Sequence, residues 1–425
     1  MIVIIFLGVL IGVMALGVPI AFALLATGIC MMAYLGIFNT QIIAQNIMTG
    51  ADSFAMMAIP FFVMAGDLMN RGGITKRIVD AALSCVGHIK GGLGYCTIIA
   101  ALLFASLVGS AVASTVALAT ILIPMMVKAG YDRNRSTALV ASSNLLAPIM
   151  PPSSPMIIFG VTASVSISKM FIAGIMPAIY ISSGLAITWA FIVRKDKLDV
   201  LPKKSFKEVI KSLINAIWAI FMPIIIIVGM RGGIFTPTEA GVVACAYALF
   251  VGVFIYKELK IKDIFDSLVS SAKTSSIIMF LAASAMVSSW IMNVGNIPQI
   301  ISGVLHPFVE HPKLLMLMIG LFVLLIGTSM DVNPIIFIMT PIVMPLVKAA
   351  NIDPVYFGVM FCFMCVIGLL TPPLGNVLNV ACAAGKITMV DIVKANMPFL
   401  IVEIILLLLM ILFPQLVIIP LNFLS

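Results

Sequence analysis

Two proline-rich interruptions inside long apolar stretches limit the possible folds of this chain more than any other feature. Residues 151–155 read PPSSP and residues 372–376 read PPLGN, so the two motifs begin 221 residues apart. A Met-Pro pair follows each motif with the same spacing, at Met176-Pro177 and Met397-Pro398. Unwound backbone is tolerated at membrane depth only where it lines a cavity, and paired breaks in two halves indicate a transporter's binding site. The chain is therefore predicted to move a solute across a membrane.

The composition indicates that lipid is the solvent. Hydrophobic residues make up 62% of the chain and charged residues 9%, against roughly 45–50% and about 25% in soluble domains. The apolar start lacks a basic n-region and continues past Leu35, which predicts a retained membrane helix instead of a signal peptide. The seven cysteines fall mainly in apolar segments and imply no disulfide framework.

The apolar pattern predicts an all-α protein that crosses the membrane many times. Apolar helices are expected at residues 2–35, 54–69, 171–193, 216–230, 240–256, 275–291 and 398–419. Two further blocks, 92–127 and 314–347, are interrupted at 106–110 and 327–334. Each flank has about 15 residues, fewer than the roughly 20 that span a bilayer. Both blocks are therefore predicted to form re-entrant helical hairpins.

A helix broken at its proline motif is expected after each hairpin, at residues 133–163 and 354–384. With an odd number of crossings per half, the halves become two inverted-topology repeats. The domain boundaries are predicted at 1–195 for the first repeat, 196–236 for a basic cytoplasmic connector with a linking helix, and 237–425 for the second repeat.

Two amphipathic segments, 39–53 and 260–273, occupy equivalent places in the two halves. They are expected to lie along opposite membrane surfaces as bracing arms. The hairpins and broken helices, at 91–165 and 312–386, are assigned to a transport domain, because the breaks must travel with the solute they hold. The remainder is assigned to a scaffold.

The basic residues set the orientation. Twenty of the 24 Lys and Arg residues lie in segments 71–90, 128–135, 194–211, 257–273 and 386–394. The other four, Lys169, Arg231, Lys313 and Lys348, fall on the opposite side. By the positive-inside rule the first side is cytoplasmic, so the chain should end outside, at Ser425. The net charge of +8 thus reflects topology-setting loops, and a nucleic-acid partner is not expected.

An interrupted helix exposes free carbonyls that attract cations and free N–H groups that attract carboxylates. Hydroxyls, amides and carbonyls with few formal charges suit sodium better than calcium. The predicted sodium ligands are Ser106, Gly109, Ser110, Ser153 and Ser154 in the first half, and Gly327, Thr328, Thr371, Pro372, Gly375 and Asn376 in the second. Alternatively, such hydroxyls only bond the preceding helical turn.

Asp331 is the main candidate for substrate binding. It lies at the second hairpin tip with no basic residue nearby in sequence, and an unpaired intramembrane carboxylate usually has a function. Capping the following helix is the alternative. Ser329, Asn333 and Asn144 complete the predicted substrate site. Asp67 and Arg71 were assigned to a surface ion pair, and Glu403 to no role.

Five motifs together resemble a known family. They are Gly17-Val18-Pro19, Ile59-Pro60-Phe61-Phe62, Gly109-Ser110-Ala111, Pro151-Pro152-Ser153 and Thr371-Pro372-Pro373-Leu374-Gly375. In this order and spacing, over nearly the whole chain, they resemble the large membrane subunit (DctM-like) of tripartite ATP-independent periplasmic (TRAP) transporters.

The resemblance implies an elevator-type ion-transporter fold in a bacterial inner membrane and sodium-driven uptake of a carboxylate such as sialic acid or a C4-dicarboxylate. It also implies a periplasmic substrate-binding protein and a small four-helix membrane subunit. Because the chain begins at the large-subunit opening, that subunit is expected to be a separate polypeptide. No cofactor other than the coupling ion is expected.

Other classes fit less well. A stand-alone sodium/carboxylate symporter would share the hairpins and breaks but need no binding protein. An enzyme is not expected, because the sequence has no GxSxG, HExxH or intramembrane Asp pair and only three histidines. The absence of a GxxxxGK[ST] loop argues against ATP coupling within the chain. The identity of the carboxylate stays open.

Overall fold

The computed structural model describes residues 2–196, 198, 200 and 202–424. Over these residues the protein is all-helical, without strands, and 81% of it is helix. The helices are α1 (Ile2–Ala15), α2 (Ile20–Tyr34), α3 (Thr40–Ala51), α4 (Ala58–Arg71), α5 (Ile74–Val86), α6 (Gly92–Val108), α7 (Ala111–Lys128), α8 (Arg133–Ser143), α9 (Ser154–Thr162), α10 (Ile167–Val193), α11 (Phe206–Arg231), α12 (Pro237–Phe250), α13 (Ile261–Val294), α14 (Ile297–Val309), α15 (Pro312–Gly327), α16 (Val332–Ala349), α17 (Pro354–Gly368), α18 (Asn376–Gly385), α19 (Met389–Leu412) and α20 (Gln415–Leu424). Seven helices in the described part are long and apolar enough to cross a membrane.

Both predicted hairpins are present. Helices α6 and α7 turn at Gly109-Ser110, and α15 and α16 turn at residues 328–331. Both predicted broken helices are present too, as α8 with α9 and as α17 with α18. Each break contains a cis X-Pro bond, at Pro151-Pro152 and Pro372-Pro373.

The order of elements α1–α10 recurs in α11–α19 and identifies two inverted repeats. Asp132 and Asp353 cap α8 and α17 from equivalent positions, 221 residues apart, and each accepts a backbone N–H of the first turn at 2.8 Å. Gly130 and Asn351, two residues earlier, share a left-handed conformation. Glycine and asparagine tolerate that conformation better than other residues. Capping and turn chemistry is therefore duplicated along with the prolines.

The first apolar run does not form one helix. It divides at Gly17-Val18-Pro19, where Gly17 has a φ of +81° and Pro19 precedes α2. A left-handed glycine ends a helix readily, and the next proline starts a new one. As a result α1 packs back against α2.

The predicted bracing arms differ between the halves. Helix α3 is a separate amphipathic helix, bent by 53° from the segment 55–71. In the second half the arm and the helix after it form one continuous 34-residue helix, α13, so the prediction of a separate arm at 260–273 is wrong. Residues 52–54 carry Asp52 as the C-cap of α3, whereas no such interruption divides α13.

Three helices were missing from the sequence prediction: α5, α14 and α20. Helices α5 and α14 occupy equivalent places before the two hairpins, and α5 packs against α6 and α11 whereas α14 packs against α16. Their short lengths and mixed polarity hid them among the predicted loops. Helix α11 also starts earlier than predicted, at Phe206, behind a capping box formed by Ser205 and Glu208.

The helices pack in two groups. One contains α2, α3, α4, α12 and α13. The other contains both hairpins and both broken helices, with α10 and α19 packed against α6, α8, α9 and α17. Trp189 of α10 donates a hydrogen bond to the Gly91 carbonyl at 2.9 Å and stacks on Tyr131, which holds the foot of the first hairpin against α10.

Candidate functional site

The tip of the first hairpin lies on the first proline break. Gly109 ends α6 with a φ of +63°, and a Cβ atom at this position would lie 3.2 Å from the Pro152 carbonyl oxygen. The same atom would lie 3.5 Å from the Ser154 nitrogen. A glycine is required here because of both its backbone conformation and this close approach.

The tip of the second hairpin lies on the second break. The Gly375 N–H donates a hydrogen bond to the Thr328 carbonyl at 3.0 Å. Gly327 and Gly368 bring α15 and α17 together so closely that a Cβ on Gly327 would lie 2.9 Å from the Gly368 Cα. Each half therefore places its own tip on its own break.

Several of the predicted ligand hydroxyls bond their own helices. Ser106, Thr328 and Thr371 donate to the carbonyls of Leu103, Leu325 and Ile367 at 2.7, 2.8 and 2.9 Å, and Ser153 donates to the Pro148 carbonyl. These bonds use the hydroxyl hydrogen only. The oxygen lone pairs stay available to accept a hydrogen bond or to bind a cation.

A cavity of about 480 Å³ joins the two halves. Ser110 and Ser154 line it from the first half, and Asp331 and Asn333 line it from the second. Its volume falls within the usual range for small-molecule sites, roughly 300–1,000 Å³. Four of the predicted site residues thus meet in one space, although they are as much as 223 residues apart in sequence.

Helix N-termini converge on this cavity. Ser110 is the N-cap of α7, Ser154 begins α9, and Asp331 is the N-cap of α16. The first N–H groups of a helix lack intrahelical partners and carry partial positive charge, so they attract anions. A carboxylate can therefore bind where α7 and α9 begin.

Asp331 combines the two roles that the sequence left open. Its Oδ1 accepts the Val332 N–H at 2.8 Å, so it caps α16. The same side chain lines the cavity, which makes it accessible to a ligand. Nearby Asn333 has a buried Oδ1 without a hydrogen-bond partner among the described residues.

The opposite wall of the cavity comes from α4 and α13, and the sequence analysis missed it. Its polar side chains are Asp67, Asn70, Ser270 and Thr274. Asp67 accepts a hydrogen bond from Arg71 at 3.0 Å, and Arg71 also lies 3.7 Å from Asp266 of α13. The predicted Asp67–Arg71 pair exists, but Asp67 faces the cavity as well. The i, i+4 spacing of Ser270 and Thr274 on an otherwise apolar helix was the signal available.

The remaining predicted site residues do not line this cavity. Ser106, Gly109 and Ser153 lie in the first tip and break, whereas Gly327, Thr328, Ser329, Thr371, Pro372, Gly375 and Asn376 lie in the second. Asn144 is buried at the end of α8, where its Nδ2 donates to the Val140 carbonyl at 2.7 Å. Its Oδ1 has no partner in the described part of the chain.

Comparison with known proteins decides the family. Residues 7–416 match the family described as "Tripartite ATP-independent periplasmic transporter, DctM component". The chain belongs to this family. It is a transporter permease and not an enzyme, and its apolar helices make it a multi-pass inner-membrane protein.

Relatives of this DctM component carry names of specific transporters. It is 48% identical to the 2,3-diketo-L-gulonate TRAP transporter large permease protein YiaN of Escherichia coli K12, with all of both chains covered. It is 35% identical to the sialic acid TRAP transporter large permease protein SiaM of Vibrio cholerae, with 95% of each chain covered. Among solved structures, the Alcanivorax borkumensis YdaH transporter matches with a TM-score of 0.59 and 13% identity, covering 87% of this chain and 86% of that one. This last similarity concerns the fold.

The DctM component also buries a polar group away from the cavity. Glu403 of α19 is completely buried, and neither of its carboxyl oxygens has a partner among the described residues. Seven residues earlier on the same helix, Asn396 accepts a hydrogen bond from Ser142 of α8 at 2.7 Å. Asn396 therefore joins α19 to a broken helix.

Proposed function

We propose that this DctM component takes up an organic carboxylate together with sodium ions. The observation that carries this proposal is the single cavity in which the hairpin tips of both repeats meet the N-termini of α7, α9 and α16. Those N-termini favour an anion, and the neighbouring carbonyls and hydroxyls favour a monovalent cation. A carboxylate and sodium stabilise each other in such a site.

Two sodium sites are proposed where each tip lies on its break. The first uses Gly109-Ser110 with Ser153-Ser154, and the second uses Gly327-Thr328 with residues 371–376. The close approach of Gly109 to Pro152 and the hydrogen bond from Gly375 to Thr328 support these pairings. Both places gather backbone carbonyls and hydroxyl oxygens, which are the ligands that hard cations prefer.

The moving unit is proposed to contain residues 91–165 and 312–386, travelling past the scaffold as an elevator. Packing favours adding α10 and α19 to this unit. Trp189 ties α10 to the first hairpin, and Asn396 ties α19 to α8. The scaffold then comprises α2, α3, α4, α12 and α13, with the remaining helices α1, α5, α11, α14 and α20 outside the moving unit.

The partners are proposed to be a periplasmic substrate-binding protein and a small four-helix membrane subunit encoded as a separate chain, because the family is that of tripartite transporters. The names of the relatives support a carboxylate substrate, since 2,3-diketo-L-gulonate and sialic acid are both organic acids.

Uptake into proteoliposomes tests the function. The complete complex with its binding protein should accumulate the carboxylate under an inward sodium gradient and not under a potassium gradient. Liposomes that contain this chain alone should transport little. Equally robust sodium-driven uptake by the chain alone would reject the tripartite proposal and support a stand-alone symporter.

Orientation is tested by cysteine labelling in intact cells. The positive-inside rule puts Lys204 in the cytoplasm and the C-terminus outside. Ser425 itself lies outside the described residues, but the exposed Asn422 of α20 serves as its neighbour. An impermeant maleimide should label Asn422→Cys and not Lys204→Cys, and the reverse pattern would invert the proposed topology.

A further inference from the structure

The cavity wall carries two carboxylates and no cationic side chain among the residues that the structure describes. The carboxylates are Asp67 on α4 and Asp331 on α16. The nearest cation in this region, Arg71, is already shared between Asp67 and Asp266 at 3.0 and 3.7 Å. Those three side chains together hold a net charge of −1, so Asp331 brings the surroundings of the cavity to −2.

Positive potential is concentrated at one place in this cavity. Only the N-termini of α7 and α9, at Ser110 and Ser154, offer unpaired N–H groups without an acidic cap. The N-terminus of α16 is occupied by Asp331 itself. The site can therefore neutralise one carboxylate well, and a second carboxylate would meet aspartates.

The rest of the polar wall suits hydroxyl groups. Asp67 and Asp331 are hydrogen-bond acceptors, while Asn70, Ser270 and Thr274 can each accept and donate. A site built from such groups rejects ligands that leave them unpaired, because buried polar groups without partners are costly.

We propose that the transported solute is a monocarboxylate rich in hydroxyl groups, such as a sugar acid. Its carboxylate binds where α7 and α9 begin, and its hydroxyls donate to Asp67 of the scaffold and Asp331 of the second hairpin. This inference rests on the proposed carboxylate transport and narrows its substrate class. Dicarboxylates are disfavoured because their second charge would lie beside the aspartates in a site with little water.

A matched pair of ligands tests the inference. D-gluconate and D-glucarate have the same carbon skeleton and hydroxyls except at one end, where glucarate has a second carboxylate, and D-galactonate and D-galactarate form a second pair. Binding to the purified membrane complex in sodium is measured by thermal stabilisation, which rises with ligand concentration relative to Kd. The soluble binding protein is left out so that its own selectivity does not enter.

At least one of the two monoacids should bind with a Kd at least about tenfold lower than its matched diacid, equivalent to about 1.4 kcal/mol. Valerate, which lacks hydroxyls, should bind more weakly than that monoacid. Failure of both monoacids to bind, or a diacid or succinate binding as tightly as the monoacid, would overturn the inference.

Variants identify the side chains responsible. Asp67→Asn should reduce the preference for the monoacid over the diacid several-fold, because it removes the repelling charge. Thr274→Val should weaken monoacid binding by about threefold, because a hydroxyl partner is lost. Asp52→Asn, on an exposed surface, is the matched control. A changed sodium requirement in Asp67→Asn with unchanged ligand preference would assign Asp67 to an ion site and contradict the inference.

Failure of this inference is distinguishable from failure of the proposed function. Sodium-driven uptake of a dicarboxylate by the complete complex would leave the proposed function standing and reject only the substrate class. Absence of sodium-driven uptake for every carboxylate would reject both.

Discussion

The two proline breaks share a backbone pattern but differ in their surroundings. In the first break Pro151, Pro152 and Ser153 are all buried, and Ser153 is 1% exposed. In the second break Pro373 and Leu374 are exposed, and Leu374 is 51% exposed. A Cβ on Gly174 of α10 would overlap the Ile149 carbonyl, so α10 lies directly against the first break.

The two halves also contribute different chemistry to the cavity. The first half supplies hydroxyls, from Ser110 and Ser154, and the second supplies a carboxylate and an amide, from Asp331 and Asn333. Duplication has therefore preserved the scaffold of the site while its side chains have taken separate roles. Three experiments can break or sharpen this comparison.

The largest effect is expected when the second hairpin is fixed to the scaffold. Leu281 of α13 and Pro334 of α16 line the same cavity, so cysteines at these positions can be joined by a short crosslinker. If both breaks travel with the hairpins, uptake should fall to background and recover when a cleavable crosslinker is cut. Sodium-dependent thermal stabilisation should persist.

The matched control joins Gly320 and Met364, which face each other between α15 and α17 inside the proposed moving unit. That crosslink should leave uptake nearly unchanged. Normal uptake with Leu281 and Pro334 joined would mean that the second hairpin does not move relative to α13.

Asp331→Asn should lower uptake at least about tenfold, because it removes the only charge that the hairpin tips bring to the cavity. Asparagine is as good an N-cap as aspartate, so α16 should keep its start and the protein its stability. Ser154→Ala, the comparable change in the first half, should cost less. Initial uptake rates and melting temperatures of both variants are the measurements, and equal losses would mean that the halves are functionally equivalent.

The sodium sites should respond unequally to loss of a hydroxyl. Ser110→Gly should raise the half-saturating sodium concentration about tenfold, because the first break is enclosed and water cannot replace the ligand. Thr371→Val should raise it only about threefold, since the second break is more open. Sodium activation curves of uptake measure both shifts.

Thr120→Val is the control for these variants, because Thr120 is exposed and makes a comparable bond to a carbonyl of its own helix, at 2.9 Å. Unchanged curves for Ser110→Gly and Thr371→Val would mean that both hydroxyls are purely structural. Equal shifts would mean that the difference in burial does not matter for sodium.

Sequence reasoning was strongest where a local signal is doubled. The hairpins and broken helices were found because short apolar flanks, prolines and glycines mark each break twice. The arms were harder: residues 39–53 and 260–273 both read as amphipathic segments, yet only the first is separate. Whether a helix bends at such a place depends on its packing, since α13 lies against α2, α3 and α4 along its length.

The site was predicted in part. Ser110, Ser154, Asp331 and Asn333 could be chosen because each lies next to a break, where free N–H and carbonyl groups must find partners. Asp67, Ser270 and Thr274 could not, because they belong to unbroken helices and their spacing suggested only a surface pair and ordinary helix polarity. Nothing in the sequence states which scaffold face a hairpin tip meets.

The sequence by itself determined the solvent, the duplication, the positions of the breaks and the family, because hydrophobicity, proline and glycine act through local backbone physics. Only the tertiary structure decided which polar groups share the cavity, that Asp67 and Asp331 line it together, and that the first break is covered while the second is open. These properties depend on contacts between elements far apart in the chain. Close packing of helices, and not local preference, selects among such contacts.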